Sequence, residues 1–234
     1  MENKLIENLR KFDERRAEML LGIADRSSNE CSKRIAEAFL PIAKYAIYGG
    51  HFHVICESDM CSFGYDIRLN KIELYYHEEK NGGHKDPIMY HTNLHVPYYF
   101  KERGLNVFPY YDFGSLNLHL SGIDITFEKE NEYRASFLIR DITAYDSANG
   151  KVISKVKSDP YSTHIFEYFF PNGVSQETLK QVIWVEDNSY EQVIGLQLKQ
   201  NVRKNVPKYD QSYSKMPETQ CDKPWQFCRV LDIL

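Results

Sequence analysis

Several features that would assign this chain to a class at once are missing from it. No apolar run reaches about 18 residues, so no membrane-spanning helix is expected. The opening MENKLIENLRKFDERRAEML is charged throughout and offers no apolar h-region, so a secretory signal is not expected either. The five cysteines (Cys31, Cys56, Cys61, Cys221 and Cys228) are odd in number and never stand in the CxxC spacing of a zinc site. They read as reduced thiols in a cytoplasmic protein. The pairs His51/His53 and His91/His95 lack matching cysteine or acidic spacing, so no metal and no cofactor is expected. Strong basic charge is absent too. The net charge is −4, which argues against tight duplex binding by the whole surface but leaves room for a local basic patch. No internal repeat and no low-complexity segment interrupts the chain.

The 234 residues are enough to bury a substantial core without disulfide staples. Tyrosine is abundant, 17 in all, and pairs up at Tyr75–Tyr76, Tyr98–Tyr99 and Tyr110–Tyr111. Such rings serve as strand and rim residues or stack on bases and sugars. Residues 2–24 read as a charged amphipathic helix. Ser27 and Ser28 supply an N-cap signal for a second helix over 28–46, carried by Ile35, Phe39 and Ile42 and weakened near its end by Pro41. Strands are expected at 51–58, from about Asn70 to Glu78, at 115–121 and 122–128 (or one strand bent at Gly122), at 135–142 and in a closing segment, 221–230. Residues 79–87 and 146–151 carry loop and turn signals, and 88–112 is aromatic and irregular. Residues 159–194 mix short helical and loop signals, and 195–206 reads as strand or helix. Strands and helices follow no regular βαβ order, which predicts an α+β fold.

The stretch HLSGIDITFE (119–128) sharpens the functional question. Ile123, Ile125 and Phe127 alternate with Asp124, Thr126 and Glu128, the pattern of a half-buried strand. A carboxylate between two isoleucines fits such a strand poorly by propensity. Asp124 is therefore either an ordinary solvent-facing residue or part of a face that lines a site. In the neighbouring strands Glu73, Tyr75 and His77 share one face, as do Asn117 and His119. Arg140 closes the apolar run ASFLI. If those strands are neighbours, the faces meet in a polar pocket; otherwise Glu73 and Asp124 simply face water or pair with Arg140 and Arg134.

In chain order, CSKRIAEAFLP (31–41), KIELYYHEEKNGGHKDP (71–87), GSLNLHLSGIDITFE (114–128), ASFLIRDI (135–142), PNGVSQETL (171–179) and KPWQF (223–227) together resemble the methylpurine (alkyladenine) DNA glycosylases. The wording GIDITF resembles a side branch of that superfamily with a Gly-Ile-Asp-Ile-Thr-Phe motif. The likeness covers roughly residues 31–230 and leaves out the first 25. It implies a single domain over 26–234 built on a curved, mainly antiparallel sheet, preceded by an N-terminal helical extension, 1–25. It also implies a partner that is DNA or a nucleoside or nucleotide. Such enzymes flip the target nucleotide and read its base in an aromatic pocket, and a glutamate activates the attacking water.

Carried over residue by residue, the pattern breaks where the chemistry belongs. Glu73 matches the first glutamate of Glu-Thr-Glu-Ala-Tyr, but the catalytic second glutamate falls on Tyr75 and the pocket tyrosine on His77. A register shift of one or two residues brings Glu73 or Glu78 to that place instead. His84 lies near the pocket histidine, Arg140 matches the arginine of Leu-Ile-Arg, and the wedge tyrosine falls on Ser121, with Tyr98, Tyr99, Tyr110 or Tyr111 as substitutes. The resemblance thus implies hydrolysis of an N-glycosidic bond to a purine-type base. Asp124 and Glu73 are the catalytic candidates; Tyr75, His77, His84, Asn117, His119 and Arg140 are candidates for holding base or nucleotide. The broken motif also fits a non-catalytic nucleic-acid or nucleotide binding module, or a protein-interaction factor. The oligomeric state stays open.

Overall fold

The structure is a computed structural model that describes residues 4–57, 62–89, 91–92, 96, 98–119, 122–157, 163–169, 179–203 and 223–230. Two helices open it: α1 (Lys4–Met19) and α2 (Asn29–Tyr48). β1 (Gly50–Glu57), β2 (Ser62–Glu78) and the short α3 (Tyr98–Glu102) follow, then β3 (Leu116–His119), β4 (Gly122–Thr126), β5 (Tyr133–Asp146) and β6 (Val152–Lys157). The chain closes through α4 (Thr163–Phe169), β7 (Leu179–Glu186), α5 (Tyr190–Ile194), β8 (Leu198–Asn201) and β9 (Gln226–Arg229). The expected α+β class holds. All the strand pairings are antiparallel, and the sheet curves into a half-barrel with the N-terminal helices packed on it.

α2 begins where the N-cap signal places it: the Ser28 hydroxyl accepts the Cys31 N–H at 3.1 Å. It does not stop at Pro41. Proline costs the helix one backbone hydrogen bond, but Ile42, Ala43, Tyr45, Ala46 and Ile47 beyond it are all buried, and that packing carries the helix to Tyr48. α1 joins the same core. Its Leu5, Leu9 and Phe12 are buried, and the Phe12 ring meets Phe127 edge-on at 5.1 Å between centroids and both Tyr76 and Tyr133 at 5.8 Å.

β2 organises the sheet. Along its length it pairs with β5; on its other side its first half pairs with β1 and its second half with β9. A bulge between Leu69 and Ile72 separates the halves, where Asn70 Nδ2 donates to Asp141 Oδ1 at 3.2 Å and to Thr143 Oγ1 at 2.8 Å. Ile67 and Leu69 before the bulge, and Ile72, Leu74 and Tyr76 after it, all enter the core under the helices. The strand expected from Asn70 therefore starts eight residues earlier, at Ser62. The phase slip of the bulge hides the continuity, because a strict period of two breaks there. β7 departs further from expectation. Its sequence LKQVIWVE reads as helical or loop, yet it pairs with β1 from Gly50↔Glu186 to Cys56↔Leu179.

Replacing Phe12 with alanine should lower stability by about 3–5 kcal/mol, the usual cost of emptying a buried aromatic site. Far-UV circular dichroism and tryptophan fluorescence in urea should report one coincident transition, since α1 and the sheet share one core.

Candidate functional site

An antiparallel sheet covered by helices on one face usually shows the other to water. Here the second face is also buried, and it is polar. The pairing register lines residues up across it: Asn117 opposite Asp124, Asp124 opposite Leu138, Leu138 opposite Glu73 and Glu73 opposite Gln226. The next row holds Thr126, Ser136 and Tyr75, and the one after it pairs His77 with Arg134. Residues in register share a face, so the two sets of polar residues read from the sequence do meet on one side of the sheet. Glu73, His77, Asp124, Thr126, Arg134, Ser136 and Gln226 are all buried there, Asp124 being 4% exposed. The solvent-facing reading of Asp124 is thereby excluded.

Parts of 84–112, together with Arg203, cover this face and supply partners that the motifs did not single out. Phe108 and Pro109 accept from the Arg134 guanidinium through their backbone carbonyls at 2.6 and 2.7 Å. Tyr111 N–H donates to Glu128 at 3.0 Å, and Arg134 also binds Glu79 at 2.6 Å and Glu128 at 3.2 Å. Asp86 forms a bidentate pair with Arg203 at 2.8 and 3.2 Å, a fully buried fork. That guanidinium lies over the Tyr75 ring at 4.7 Å and the Trp225 ring at 5.0 Å. Burial alone would raise the Asp86 carboxyl; Arg203 outweighs it and brings it down to about 2.

Two carboxylates sit at the centre, and their surroundings differ. Glu73 is saturated: Gln226 Nε2 donates to one oxygen at 2.7 Å, while Arg140 Nε at 2.8 Å and the Tyr75 hydroxyl at 3.1 Å donate to the other. Arg140 therefore meets Glu73, not Asp124, and β5 runs on past it to Asp146. Asp124 is ringed by imidazoles instead. His119 Nε2 stands 3.2 Å and His91 Nε2 3.6 Å from Asp124 Oδ2, while Oδ1 has no hydrogen-bond partner among the described residues. Burial would push the Asp124 carboxyl up, but His119 and then His91 hold it well below the ordinary range. It is an ionised carboxylate at neutral pH. A carboxylate so far from neutrality is a weak proton acceptor and acts through its charge.

The other candidates divide. His77 Nδ1 accepts the Asp86 N–H at 3.2 Å, and burial, reinforced by Lys85, lowers its imidazole to about 4. His84 bridges the Arg26 carbonyl and the Lys223 ammonium, each at 2.7 Å, and burial with Lys223 lowers it to about 3. Both rings are neutral struts of the covering layer. Glu78, the alternative for the missing glutamate, lies at the far end of β2, where Arg16, the Tyr76 hydroxyl and the His84 N–H occupy it. Of the substitute wedge tyrosines, Tyr110 stacks under Arg134 at 3.6 Å and Tyr111 lies against His91, whereas Tyr98 is exposed. Ser121, His95, Cys61 and Cys221 lie outside the described residues. His51 and His53 are engaged by Asp187 and Asp66 at 3.1 and 2.7 Å. Among the described residues no group of three or more His, Cys, Asp or Glu is arranged to hold a metal ion, and no helix is long and apolar enough to cross a membrane.

Two outcomes follow from these pairings. Arg140→Ala leaves the buried Glu73 without its cation and should cost about 3–5 kcal/mol of stability in urea unfolding. Acid should weaken the fold early. His77 and His84 are lowered in the folded state, so the unfolded chain takes up protons first as pH falls below the ordinary imidazole value. Stability is lost from about pH 6.5 down towards 4, above the window of Asp86. His84→Gln should flatten that part of a urea-midpoint against pH curve.

Compared with known proteins, the chain matches no protein-family model, no curated protein and no solved structure.

Proposed function

We propose that this protein hydrolyses the N-glycosidic bond of a purine-type nucleotide, in DNA or as a free nucleoside, with Asp124 as the catalytic carboxylate. The observation that carries the reading is a buried, ionised carboxylate with imidazoles beside one oxygen and, among the described residues, no hydrogen-bond partner on the other. Three further features support it: the motif order over residues 31–230, the curved antiparallel sheet, and the polar row that lines Asp124 up with Glu73. In such a reaction the bond between C1′ and the base nitrogen breaks, and its electron pair leaves with the base, which takes a proton. Positive charge gathers on the sugar, and water then adds its oxygen to C1′ and sheds a proton. A fixed carboxylate beside C1′ stabilises that positive charge and orients the water, with no reorganisation at the moment of reaction. His119 stands on β3, the strand at one end of the path, and Asp124 on its neighbour β4, so this reading has the nucleotide approach from that edge of the sheet.

A second reading, a binding module without turnover, is favoured by one specific feature. The position matching the family's catalytic glutamate is Tyr75, and both oxygens of Glu73 are already engaged.

The test is release of free base, measured by chromatography, from purine nucleosides and from duplexes carrying alkylated, deaminated and oxidised purines. Asp124→Asn should reduce release by about 10²–10³-fold through kcat and keep the folded circular dichroism spectrum. A variant that releases base at the wild-type rate would remove Asp124 from the chemistry. A wild type that releases none, yet retains DNA in a salt-dependent way, would establish the binding module.

A further inference from the structure

We propose that His91, locked in place by Glu128, is the positioning residue of the Asp124 site, fixing Oδ2 so that Oδ1 faces the reacting sugar and water. The inference rests on the reading of Asp124 above and adds His91 and Glu128 to it.

The geometry is an alternating row of charges across the buried face. Arg134 and the Tyr111 N–H hold Glu128 Oε2 at 3.2 and 3.0 Å, and Glu128 Oε1 contacts His91 Nδ1. The opposite ring nitrogen, Nε2, lies 3.6 Å from Asp124 Oδ2, and His119 approaches the same oxygen at 3.2 Å. Side-chain exposure rises along the row, from 0% at Glu128 and His91 to 5% at Asp124 and 10% at His119. His91 is thus too deep to touch a substrate; it acts through Asp124. Phe108 and Tyr111 pack on its ring at 6.3 and 5.5 Å between centroids. An imidazole with a carboxylate at each nitrogen is held in one orientation as a cation. Burial lowers its proton affinity, but the carboxylates of Asp124 and Glu128 outweigh this and raise it to about 9. The imidazolium also balances the charge of two carboxylates that would otherwise repel across a dry layer.

The test is an NMR titration of the histidine ring nitrogens of the full chain from about pH 6 to 11, with His91→Gln for assignment, beside the pH dependence of base release. His91 should titrate near 9 in the wild type. Release should fall at alkaline pH with the same midpoint, and Glu128→Gln should move both midpoints down by about one pH unit or more with little change in KM. A ring that titrates in the ordinary imidazole range in the wild type overturns the proposal, whether or not Glu128→Gln folds. So does an alkaline limb that stays in place in that variant. If the ring titrates high and responds to Glu128→Gln while no substrate releases base, the clamp stands and the hydrolytic reading fails.

Discussion

Arginine–carboxylate pairing beneath the sheet is the interaction on which the rest of the molecule depends. Arg134 binds Glu79 and Glu128, Arg140 binds Glu73, and Arg203 binds Asp86. Each guanidinium is largely or wholly out of water, where an unpaired charge would cost several kcal/mol. Except for Arg134–Glu128, the pairs also join segments far apart in sequence: β5 to the turn after β2, β5 to β2, and the loop after β2 to the segment after β8. The irregular cover thereby acquires a defined position without a periodic apolar face of its own. The apolar side of the same sheet needs no such pairing, since the α1–α2 layer fills it with interlocking rings.

This division explains why the two sides place opposite demands on substitution. On the helix side volume decides, and a hydrophobic residue of similar size is tolerated. On the polar side the partner decides, because removing one member strands the other. Asp124 and Glu73 show the range within one row of the sheet. Glu73 is bound through both oxygens and serves the architecture, whereas Asp124 has one oxygen without a hydrogen-bond partner among the described residues, the arrangement a reaction can use.

The elements that could be read from the sequence are those with a period. Alternation in LNLH and GIDIT placed β3 and β4 and put Asp124 on the same side as Asn117 and Thr126; the register agrees. Ser28 announced the start of α2. Arg140 was legible as a residue leaving an apolar strand, but its partner was not, because nothing local distinguishes Glu73 from Asp124 as its mate. His91, Asp86 and Arg203 escaped notice since they sit in irregular backbone, where no period assigns a direction to a side chain. His91 was visible only as half of a histidine pair with His95, and Asp86 only as half of an Asp-Pro breaker. β7 was missed for another reason: the turn and helix signals of PNGVSQETL just before it set the expectation for the whole stretch, although Val182, Ile183, Trp184 and Val185 favour a strand and pair along β1.

The bulge in β2 has a genetic consequence. It inserts one residue beyond strict alternation, so that Ile72, Leu74 and Tyr76 re-enter the core and Glu73, Tyr75 and His77 fall on the opposite side. Loss of a single codon at Asn70 or Lys71 would remove only the extra residue and leave Ile67, Leu69, Ile72, Leu74 and Tyr76 in strict alternation, all still facing the helices. Loss of a codon between Ile72 and His77 would instead flip every later side chain of the strand to the other face and drive polar groups into the aromatic layer. A lineage can therefore exchange residues on the polar side one at a time and change its chemistry gradually. A one-residue change in the length of this strand is absorbed at the bulge and turns the layers inside out beyond it.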